Sequence, residues 1–391
     1  MSADHDGDAA PGEATAPAGE AGPAAGAAPA EGIASAERPA RRRRLLPAFA
    51  LLLLAPLVGE FLLGNQPVTD LGAVLLFLPL YGCGALLVRE TARRAGRGWP
   101  TMVLLAAAYA LIEEGPVDQM LWNPHYGGVD MGAVYAATHI PGLGTSVEML
   151  QDVLAMHTVW SICVPIALVE TFTREPTRPW LRLPGVAVTG AVFVAGSVFL
   201  AVQQAVSEGF VASPAQFTQA GVVIVGLIVL GFAVGRRQRA PFSGSSDSSG
   251  SSEGRPAPNP WLVGAVALVV SSLYWTRQEM PEGPAWKWAL CAVWCVLAAG
   301  FVALVLRWSA RPGWGAAHRL ALAGGALLTY VWVGFTQAAE LDVPRAVALA
   351  GNAVFGAGAL LLLALAVRSL RSRGRSSAGR PGRGERAAPV A

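Results

Sequence analysis

The chain contains ten apolar runs, each long enough to cross a bilayer, which follow one another from Leu45 onward with short breaks. A helix needs about 20 mainly apolar residues to cross about 30 Å of hydrocarbon. Only 14% of the residues are charged, whereas a soluble domain usually has about 25%. We therefore predict an all-α fold, a polytopic transmembrane helical bundle. Its ten helices are expected at 45–63, 71–89, 99–121, 146–172, 183–206, 216–235, 260–276, 286–307, 319–338 and 343–367.

The distribution of Lys and Arg predicts how these helices are oriented. Of the 29 Lys and Arg residues, only Arg277, Lys287 and Arg345 fall in the loops on one side of the predicted bundle. All the others fall in the two tails and in the alternate loops. Because cytoplasmic loops are enriched in Lys and Arg, both termini are expected in the cytoplasm. We predict a multi-pass protein of the plasma membrane.

The polar stretches divide the chain into five parts. Residues 1–40 are mostly Ala, Gly, Pro and Glu, and such a segment buries too little apolar surface to offset its chain entropy, so a disordered N-terminal tail is expected. A six-helix membrane block at 41–239 and a four-helix block at 260–367 are joined by a Ser/Gly-rich stretch at 240–259, which is typical of a flexible linker. The basic residues 368–391 are predicted to form a disordered C-terminal tail.

Polar side chains inside the predicted spans fall at one depth. A carboxylate or imidazole in hydrocarbon is costly unless it is paired or hydrated, so each one is a functional hypothesis. Counted from the cytoplasmic end of each helix at about 1.5 Å per residue, Glu60, Glu113, His157 and Asn352 all lie roughly 21 to 22 Å deep. We therefore predict that four helices contribute to one polar site.

Glu113 and Glu114 are adjacent on the third predicted helix and are followed by Gly115 and Pro116, which should interrupt the helix. Adjacent helical side chains diverge by about 100°, so one carboxylate is free to face the site while the other takes a structural partner. If both are buried together, lost hydration and mutual repulsion favour a proton on one of them. Such a group acts as a proton carrier or a general base. The alternative is that Glu114 only ends the helix at the interface.

The fourth predicted span carries four further polar groups besides His157. Ser161 shares a helix face with His157 at i,i+4 spacing. His157 is interpreted as a site residue because its depth matches that of Glu113, and a hydrogen-bonded core histidine is the alternative. Glu148 and Asp152 share a different face, and Glu170 near Arg174 is expected to form an ion pair close to the cytoplasmic surface.

The outer loop at 116–145 contains no Lys or Arg and is rich in Gly, Pro and aromatic residues. It is interpreted as an interfacial aromatic loop, and a lid that dips toward the membrane is the alternative. Imidazoles and carboxylates in and beside it suit zinc or manganese, but no HExxH or comparable spacing is present. Neither a metal site nor a cofactor is therefore predicted. The residues of that alternative are His125, Asp130, His139, Glu148 and Asp152.

These residues resemble the CAAX-protease and bacteriocin-processing family of intramembrane glutamate proteases. That family has a paired Glu followed by Arg, then Phe-x-x-x-His on a later helix, then His-x-x-x-Asn or Asp. The resemblance implies that Glu113, paired with Glu114, is the base that activates water, that His157 is the second element, and that Asn352 is the polar group beside the oxyanion. Three positions depart from the family pattern: Asp118 replaces the Arg, Val153 the Phe, and Ala348 the last His.

Three functions follow from these observations. The leading one is a transporter, permease component or sensor in which Glu113, Glu114 and His157 couple to a proton or a cation. The second is a peptidase-like enzyme built on the same residues, with or without remaining activity, and the third is a scaffold without a catalytic role. The expected partners are the lipid bilayer and a small solute, a cation or a peptide. A net charge of +3 gives no indication of nucleic-acid binding, and no Gly-x-x-x-x-Gly-Lys motif for a nucleotide is present.

Overall fold

A computed structural model describes residues 45–234, 255–276, 284–337 and 341–378. The predicted N-terminal tail at 1–40, most of the predicted linker at 240–259 and residues 379–391 of the predicted C-terminal tail lie outside the described residues. The orientation predicted from the Lys and Arg distribution is used below to name the two ends of the bundle.

The described part is a helical bundle with ten long helices and one short helix, which confirms the predicted fold class. A helix occurs at each of the ten predicted positions. The helices are α1 (Leu45–Leu62), α2 (Ala73–Arg94), α3 (Trp99–Ile112), the short α4 (Gly132–Ala137), α5 (Val147–Phe172), α6 (Leu183–Glu208), α7 (Pro214–Val234), α8 (Pro260–Thr276), α9 (Pro284–Ser309), α10 (Ala316–Gln337) and α11 (Arg345–Ala378).

Eight of the ten long helices are long and apolar enough to cross a membrane by length and composition alone. The two others are α8, which has 17 residues, and α3, which runs directly into a turn that carries Glu113 and Glu114.

Two ion pairs join helix ends that lie on the same predicted side of the bundle. At the predicted cytoplasmic side, Arg93 at the end of α2 binds Glu170 near the end of α5. At the predicted outer side, Lys287 of α9 binds Glu148 at the start of α5, with Nζ and Oε1 2.9 Å apart. Residues assigned to the same side by the charge pattern thus meet in the structure.

Helix α11 continues to Ala378, so residues 368–378 are helical and the predicted start of the disordered tail at 368 is wrong. The physical reason is a set of hydrogen bonds beyond the apolar run. The Arg373 guanidinium donates to the carbonyl oxygens of Thr173 and Thr171, 2.6 and 2.7 Å away, and to Ser369 Oγ. These bonds attach the basic end of α11 to the end of α5.

The helices differ in the share of their residues that is buried. Helix α6 has no buried residue along its 26 positions, and large apolar side chains such as Val198 and Phe199 are more than half exposed, as expected for a surface that faces lipid. By contrast, half or more of the apolar window of α1, α2, α5 and α10 is buried. These four helices, with α3, form the core in which the polar residues lie.

The outer loop between α3 and α5 is folded. It contains α4 and an antiparallel pair of two-residue strands, β1 (His139–Ile140) and β2 (Thr145–Ser146). Trp122 and Tyr135 are buried, and the Ala212 backbone N–H between α6 and α7 donates to Gln119 Oε1 at 2.7 Å. The loop is therefore packed against the outer ends of the helices, and its role as a lid stays a prediction.

Candidate functional site

Four core helices each contain a π-helical turn, and the buried polar residues lie on these turns. The turns are Leu57–Leu62 in α1, Leu78–Gly82 in α2, Glu113–Val117 after α3 and His157–Cys163 in α5. Such turns are rare and are frequently found at functional sites. Their clustering around the polar residues marks this part of the bundle as the candidate site.

A proline accompanies each π-helical turn and gives it a local cause. Pro56 precedes the first turn, Pro79 and Pro116 lie within the second and third, and Pro165 follows the fourth. Proline has no backbone N–H and its ring clashes with the carbonyl four residues earlier, so the regular hydrogen-bond ladder cannot continue there. The prolines thus coincide with the wider π-helical turns that carry the buried polar side chains.

His157 lies between the two glutamates. Its Nδ1 is 2.7 Å from Glu113 Oε2, and its Nε2 is 2.6 Å from Glu114 Oε1. All three side chains are buried, and Glu113 is fully inaccessible to solvent. The divergence expected for adjacent helical side chains does not separate the carboxylates, because both lie on the turn Glu113–Val117 and the imidazole contacts one with each nitrogen. The structure therefore brings together three of the four predicted site residues.

The carboxylates of this cluster have oxygens without hydrogen bonds. Within the described ranges, neither oxygen of Glu113 has a hydrogen-bond partner of good geometry, and neither does Glu114 Oε2. The contact between Glu113 and His157 is thus an ion pair by distance and not an aligned hydrogen bond. A doubly protonated imidazole carries one positive charge and two ionised carboxylates carry two negative charges. One more proton or cation would neutralise the cluster.

Ser161 and Tyr81 extend the polar cluster. Ser161 Oγ is 3.2 Å from His157 Nδ1, the nitrogen that also contacts Glu113. The Tyr81 hydroxyl donates to Glu60 Oε1, and the centres of the Tyr81 and His157 rings are 6.0 Å apart. Tyr81 therefore lies between the His157 imidazole and Glu60, whose predicted depth matches that of Glu113.

Gly59 allows α1 to approach this cluster. A Cβ atom at Gly59 would lie 2.9 Å from the Tyr81 ring and 3.1 Å from Ser161 Oγ, closer than ordinary packing allows. A side chain at this position would therefore push Glu60 and its helix away from Tyr81 and His157.

Tyr81 and Tyr109 are site residues that the sequence analysis missed. Tyr109 lies four residues before Glu113, its hydroxyl is buried, and its ring centre is 6.5 Å from that of Tyr81. A single tyrosine in an apolar helix resembles a packing residue. The available signals were the i,i+4 spacing to Glu113 and the position of Tyr81 between Pro79 and Gly82.

Asn352 is buried but makes its hydrogen bond elsewhere. Its amide nitrogen donates to the Gly334 carbonyl on α10, and it has no hydrogen bond to Glu113, Glu114 or His157 in the described part of the chain. Its helix still borders the site, because the rings of Phe355 on α11 and Phe61 on α1 have centres 5.4 Å apart. Asn352 thus joins two helices beside the cluster.

Two residues of the metal alternative, Glu148 and Asp152, have other partners. Glu148 pairs with Lys287, and Asp152 Oδ1 accepts a hydrogen bond of 2.8 Å from the Tyr274 hydroxyl. His125 and Asp130 are both strongly exposed, with 3.9 Å between them. Within the described ranges, no group of three His, Cys, Asp or Glu side chains is arranged to hold a metal ion.

Glu170 forms ion pairs at the cytoplasmic ends of the helices, as expected, and its partners are Arg93 and Arg89. Its carboxylate oxygens lie 2.7 Å from Arg93 Nη2 and 3.1 Å from Arg89 Nε. The Arg89 guanidinium also lies 3.3 Å from the centre of the Trp180 ring and donates to two carbonyls of the loop after α5. This network joins α2, α5 and the following loop below the candidate site.

The comparisons with known proteins give one match. The model of an uncharacterized membrane protein family matches residues 49–373, which includes every residue of the candidate site. No curated protein and no solved structure matches the chain. The match supports a family of membrane proteins, and it does not extend to the intramembrane glutamate proteases that the motif residues resemble.

Proposed function

The chain belongs to an uncharacterized family of membrane proteins, and we propose that it couples the movement or sensing of a small solute to protonation of its Glu113–His157–Glu114 cluster. The plasma membrane is the proposed location, because the Lys and Arg distribution fits insertion with the basic tails in the cytoplasm. The observation that carries the proposal is one buried imidazole in contact with two buried carboxylates.

The charge of the cluster is the first step of this proposal. With the imidazole doubly protonated and both carboxylates ionised, the cluster keeps one net negative charge. A buried charge of this kind is unfavourable in a membrane span unless it is compensated. Binding of a proton to one carboxylate neutralises this net negative charge, so the cluster has two states that differ by one proton. A solute that favours one of these states is thereby coupled to the proton.

The ligands available to the cluster favour a proton over a metal cation. Calcium takes six to eight oxygen ligands, as a general rule, and magnesium requires near-octahedral coordination. In the cluster, only the oxygens of Glu113 and one oxygen of Glu114 lack hydrogen-bond partners among the described residues. A proton needs only one of them.

Glu60 and Tyr81 provide a second position for the same proton. The Tyr81 hydroxyl donates to Glu60 while its ring lies beside His157. A hydroxyl both donates and accepts, so Tyr81 is suited to pass a proton between Glu60 and the cluster. Movement between two such positions is what a coupled carrier or a sensor requires.

A peptidase-like function is the second candidate, and the Glu113 to His157 contact favours it. Together these two groups are suited to activate a water molecule, as the resemblance to the intramembrane glutamate proteases implies. Two features weigh against it. The Asn352 amide donates to Gly334 and has no hydrogen bond to Glu113, Glu114 or His157 in the described part of the chain, and Ala348 stands at the position of the last His.

Variants expressed in a strain that lacks the native gene distinguish the candidates. Glu113→Gln and His157→Gln are compared with Glu175→Gln, which changes an exposed carboxylate of the cytoplasmic loop. The proposal expects both cluster variants to lose the growth or uptake phenotype that wild type restores, with the membrane proteome unchanged. Accumulation of an uncut membrane protein in the cluster variants would favour the peptidase. Full complementation by both would contradict both candidates and favour the scaffold.

A further inference from the structure

A third carboxylate, Asp118, lies at the outer end of the Glu113–His157–Glu114 cluster. Its backbone N–H donates to the Glu113 carbonyl at 2.7 Å, so Asp118 closes the π-helical turn Glu113–Val117. Glu114 and Asp118 are four residues apart, a spacing that brings helical side chains to one face. The Asp118 carboxylate is within electrostatic reach of both glutamates and of His157. It therefore continues the cluster toward the outer loop.

Asp118 differs from the other carboxylates around the cluster in its exposure. Glu60, Glu113 and Glu114 are buried. Asp118 is partly exposed, and the residues on either side of Tyr126 in the loop above it are exposed as well. Among the described residues, one hydrogen bond reaches its side chain: the Tyr126 hydroxyl donates to Oδ2 at 3.5 Å, which is long for such a bond. Asp118 is thus weakly held at the surface of the outer loop.

The carboxylate that shares a helix face with Asp118 has an oxygen open to a proton. Glu114 Oε1 is 2.6 Å from His157 Nε2, whereas its Oε2 is buried without a hydrogen-bond partner in the described part of the chain. Buried polar atoms normally have a partner. A proton on Glu114 turns one of its oxygens into a hydroxyl and lowers the negative charge of the cluster.

The charges that face Asp118 come mainly from acids. From α5 it faces His157, and from α1 it faces Glu60. Helices α3, α6 and α7 pack against its turn, and their one charged residue is Glu208, which binds the Gly127 backbone N–H. The outer loop contains no Lys or Arg. Because like charges at close range favour a proton on one of them, these carboxylates are suited to share protons.

The opposite side of the cluster is closed by apolar packing. Each of the four helices α1, α2, α3 and α5 has an apolar residue, at most 1% exposed, between the cluster and its cytoplasmic end: Leu51, Leu86, Met102 and Ile166. Beyond them lies the ion-pair network of Glu170, in which Arg89 is fully buried. Close packing leaves few voids large enough for water. A proton therefore has no hydrated route to the cluster from the cytoplasm in this conformation.

We propose that Asp118 is the residue through which the cluster exchanges protons with the outer side of the membrane. The Asp118 carboxylate takes a proton from water at the outer loop. Its O–H bond then breaks as an O–H bond forms on Glu114, which leaves Asp118 ionised and ready for the next proton. This inference rests on the proposed proton coupling of the cluster and adds the side from which the proton comes.

Sealed vesicles that contain the full-length protein test the sidedness. They are sorted by whether an affinity tag at the C-terminus, on the side opposite to the outer loop, is accessible. The external pH is changed while an impermeant buffer holds the internal pH, and infrared difference spectra follow the carboxylic C=O band that is lost in Glu113→Gln/Glu114→Gln. We expect the band to respond immediately where the outer loop faces the changed buffer. In vesicles of the opposite orientation it should respond only after a protonophore is added.

A matched pair of variants tests the residue. Asp118→Asn keeps the shape of the side chain and removes its titratable group, and Asp130→Asn removes an exposed carboxylate of the same loop. We expect Asp118→Asn to slow the response at least about tenfold, because a positioned proton-transfer group commonly accelerates a step roughly 100-fold or more. Asp130→Asn should leave the rate unchanged, and Asp118→Glu should retain most of it.

The failure of this inference and that of the proposed coupling give different results. Equal rates for Asp118→Asn and wild type, or a band that follows only the buffer on the cytoplasmic side, would overturn the inference and leave the coupling in place. The second of these results is measured on wild type, so it decides even if Asp118→Asn does not fold. No pH-dependent band from either side would contradict the coupling itself, and the inference with it.

Discussion

His157 Nε2 lies 2.6 Å from Glu114 Oε1 inside the helical core, although the neighbouring Glu113 already contacts the other ring nitrogen. One imidazole therefore links both carboxylates of a pair that would otherwise repel each other. The stability of the core therefore depends on the charges of Glu113, Glu114 and His157.

Replacing His157 by Gln should destabilise the protein strongly. Removal of one partner from a buried ion pair leaves an uncompensated charge, which costs about 3 to 5 kcal/mol. Unfolding of the purified protein in detergent, titrated with dodecyl sulfate, measures the change. In a Glu113→Gln/Glu114→Gln background the same substitution should cost much less, because no carboxylate is left without its partner. An equal cost in both backgrounds would mean that the imidazole only fills space.

Gly59→Ala should displace α1 from the cluster. The added Cβ would lie 2.9 Å from Tyr81 and 3.1 Å from Ser161 Oγ, and overpacking of this kind costs about 1 to 3 kcal/mol. Gly190→Ala on α6 is the matched control, since nothing lies within 4 Å of a Cβ there, and it should not destabilise. The free energy of unfolding of both variants is compared with that of wild type. Equal values for the two would contradict the close approach of α1.

The ion pairs of the cytoplasmic side offer a comparison between a buried and an exposed glutamate. Glu170→Gln leaves Arg89 and Arg93 without their shared carboxylate, so a loss of about 3 to 5 kcal/mol is expected. Glu175→Gln breaks an exposed pair with Arg178, for which the expected loss is below about 1 kcal/mol. Thermal unfolding of the two variants under the same conditions gives the ranking. The reverse ranking would refute a structural role for the buried network.

Replacing Tyr81 by Phe should separate the proposed relay from packing. The ring contacts with Phe77, Tyr109 and His157 are retained, so the protein should fold. Only the hydrogen bond to Glu60 is lost. Uptake or growth supported by the proposed coupling should fall, whereas Tyr126→Phe in the outer loop should have little effect. Unimpaired function of Tyr81→Phe would exclude Tyr81 as a relay.

Hydropathy and charge predicted the ten helix positions, because lipid requires long apolar spans and Lys and Arg mark one side of the membrane. The same reasoning placed Glu60, Glu113 and His157 at one depth, and the structure brings their helices together. Depth alone could not assign side-chain partners. Asn352 shares that depth but donates to Gly334, a contact that depends on how α10 and α11 pack.

The parts of the site that the sequence did not reveal depend on local backbone shape. The rotation of about 100° per residue in a regular helix points Glu113 and Glu114 in diverging directions, whereas both reach His157 from the π-helical turn Glu113–Val117. Arg89 was counted as a cytoplasmic charge, yet it is fully buried because Glu170, Glu90 and two loop carbonyls surround its guanidinium. Glu170 and the loop carbonyls are distant in sequence from Arg89, so α2 alone carries no signature of them.

The most direct test of the central claim is infrared difference spectroscopy of the reconstituted full-length protein between mildly acidic and mildly alkaline pH. Our account predicts a C=O band of a buried carboxylic acid that changes with pH in wild type and in Glu175→Gln. The band should be lost or shifted in Glu113→Gln/Glu114→Gln, with the contribution of Glu60 identified by Glu60→Gln. An identical pH-dependent spectrum for wild type and the Glu113→Gln/Glu114→Gln variant would contradict a proton held by the Glu113–His157–Glu114 cluster.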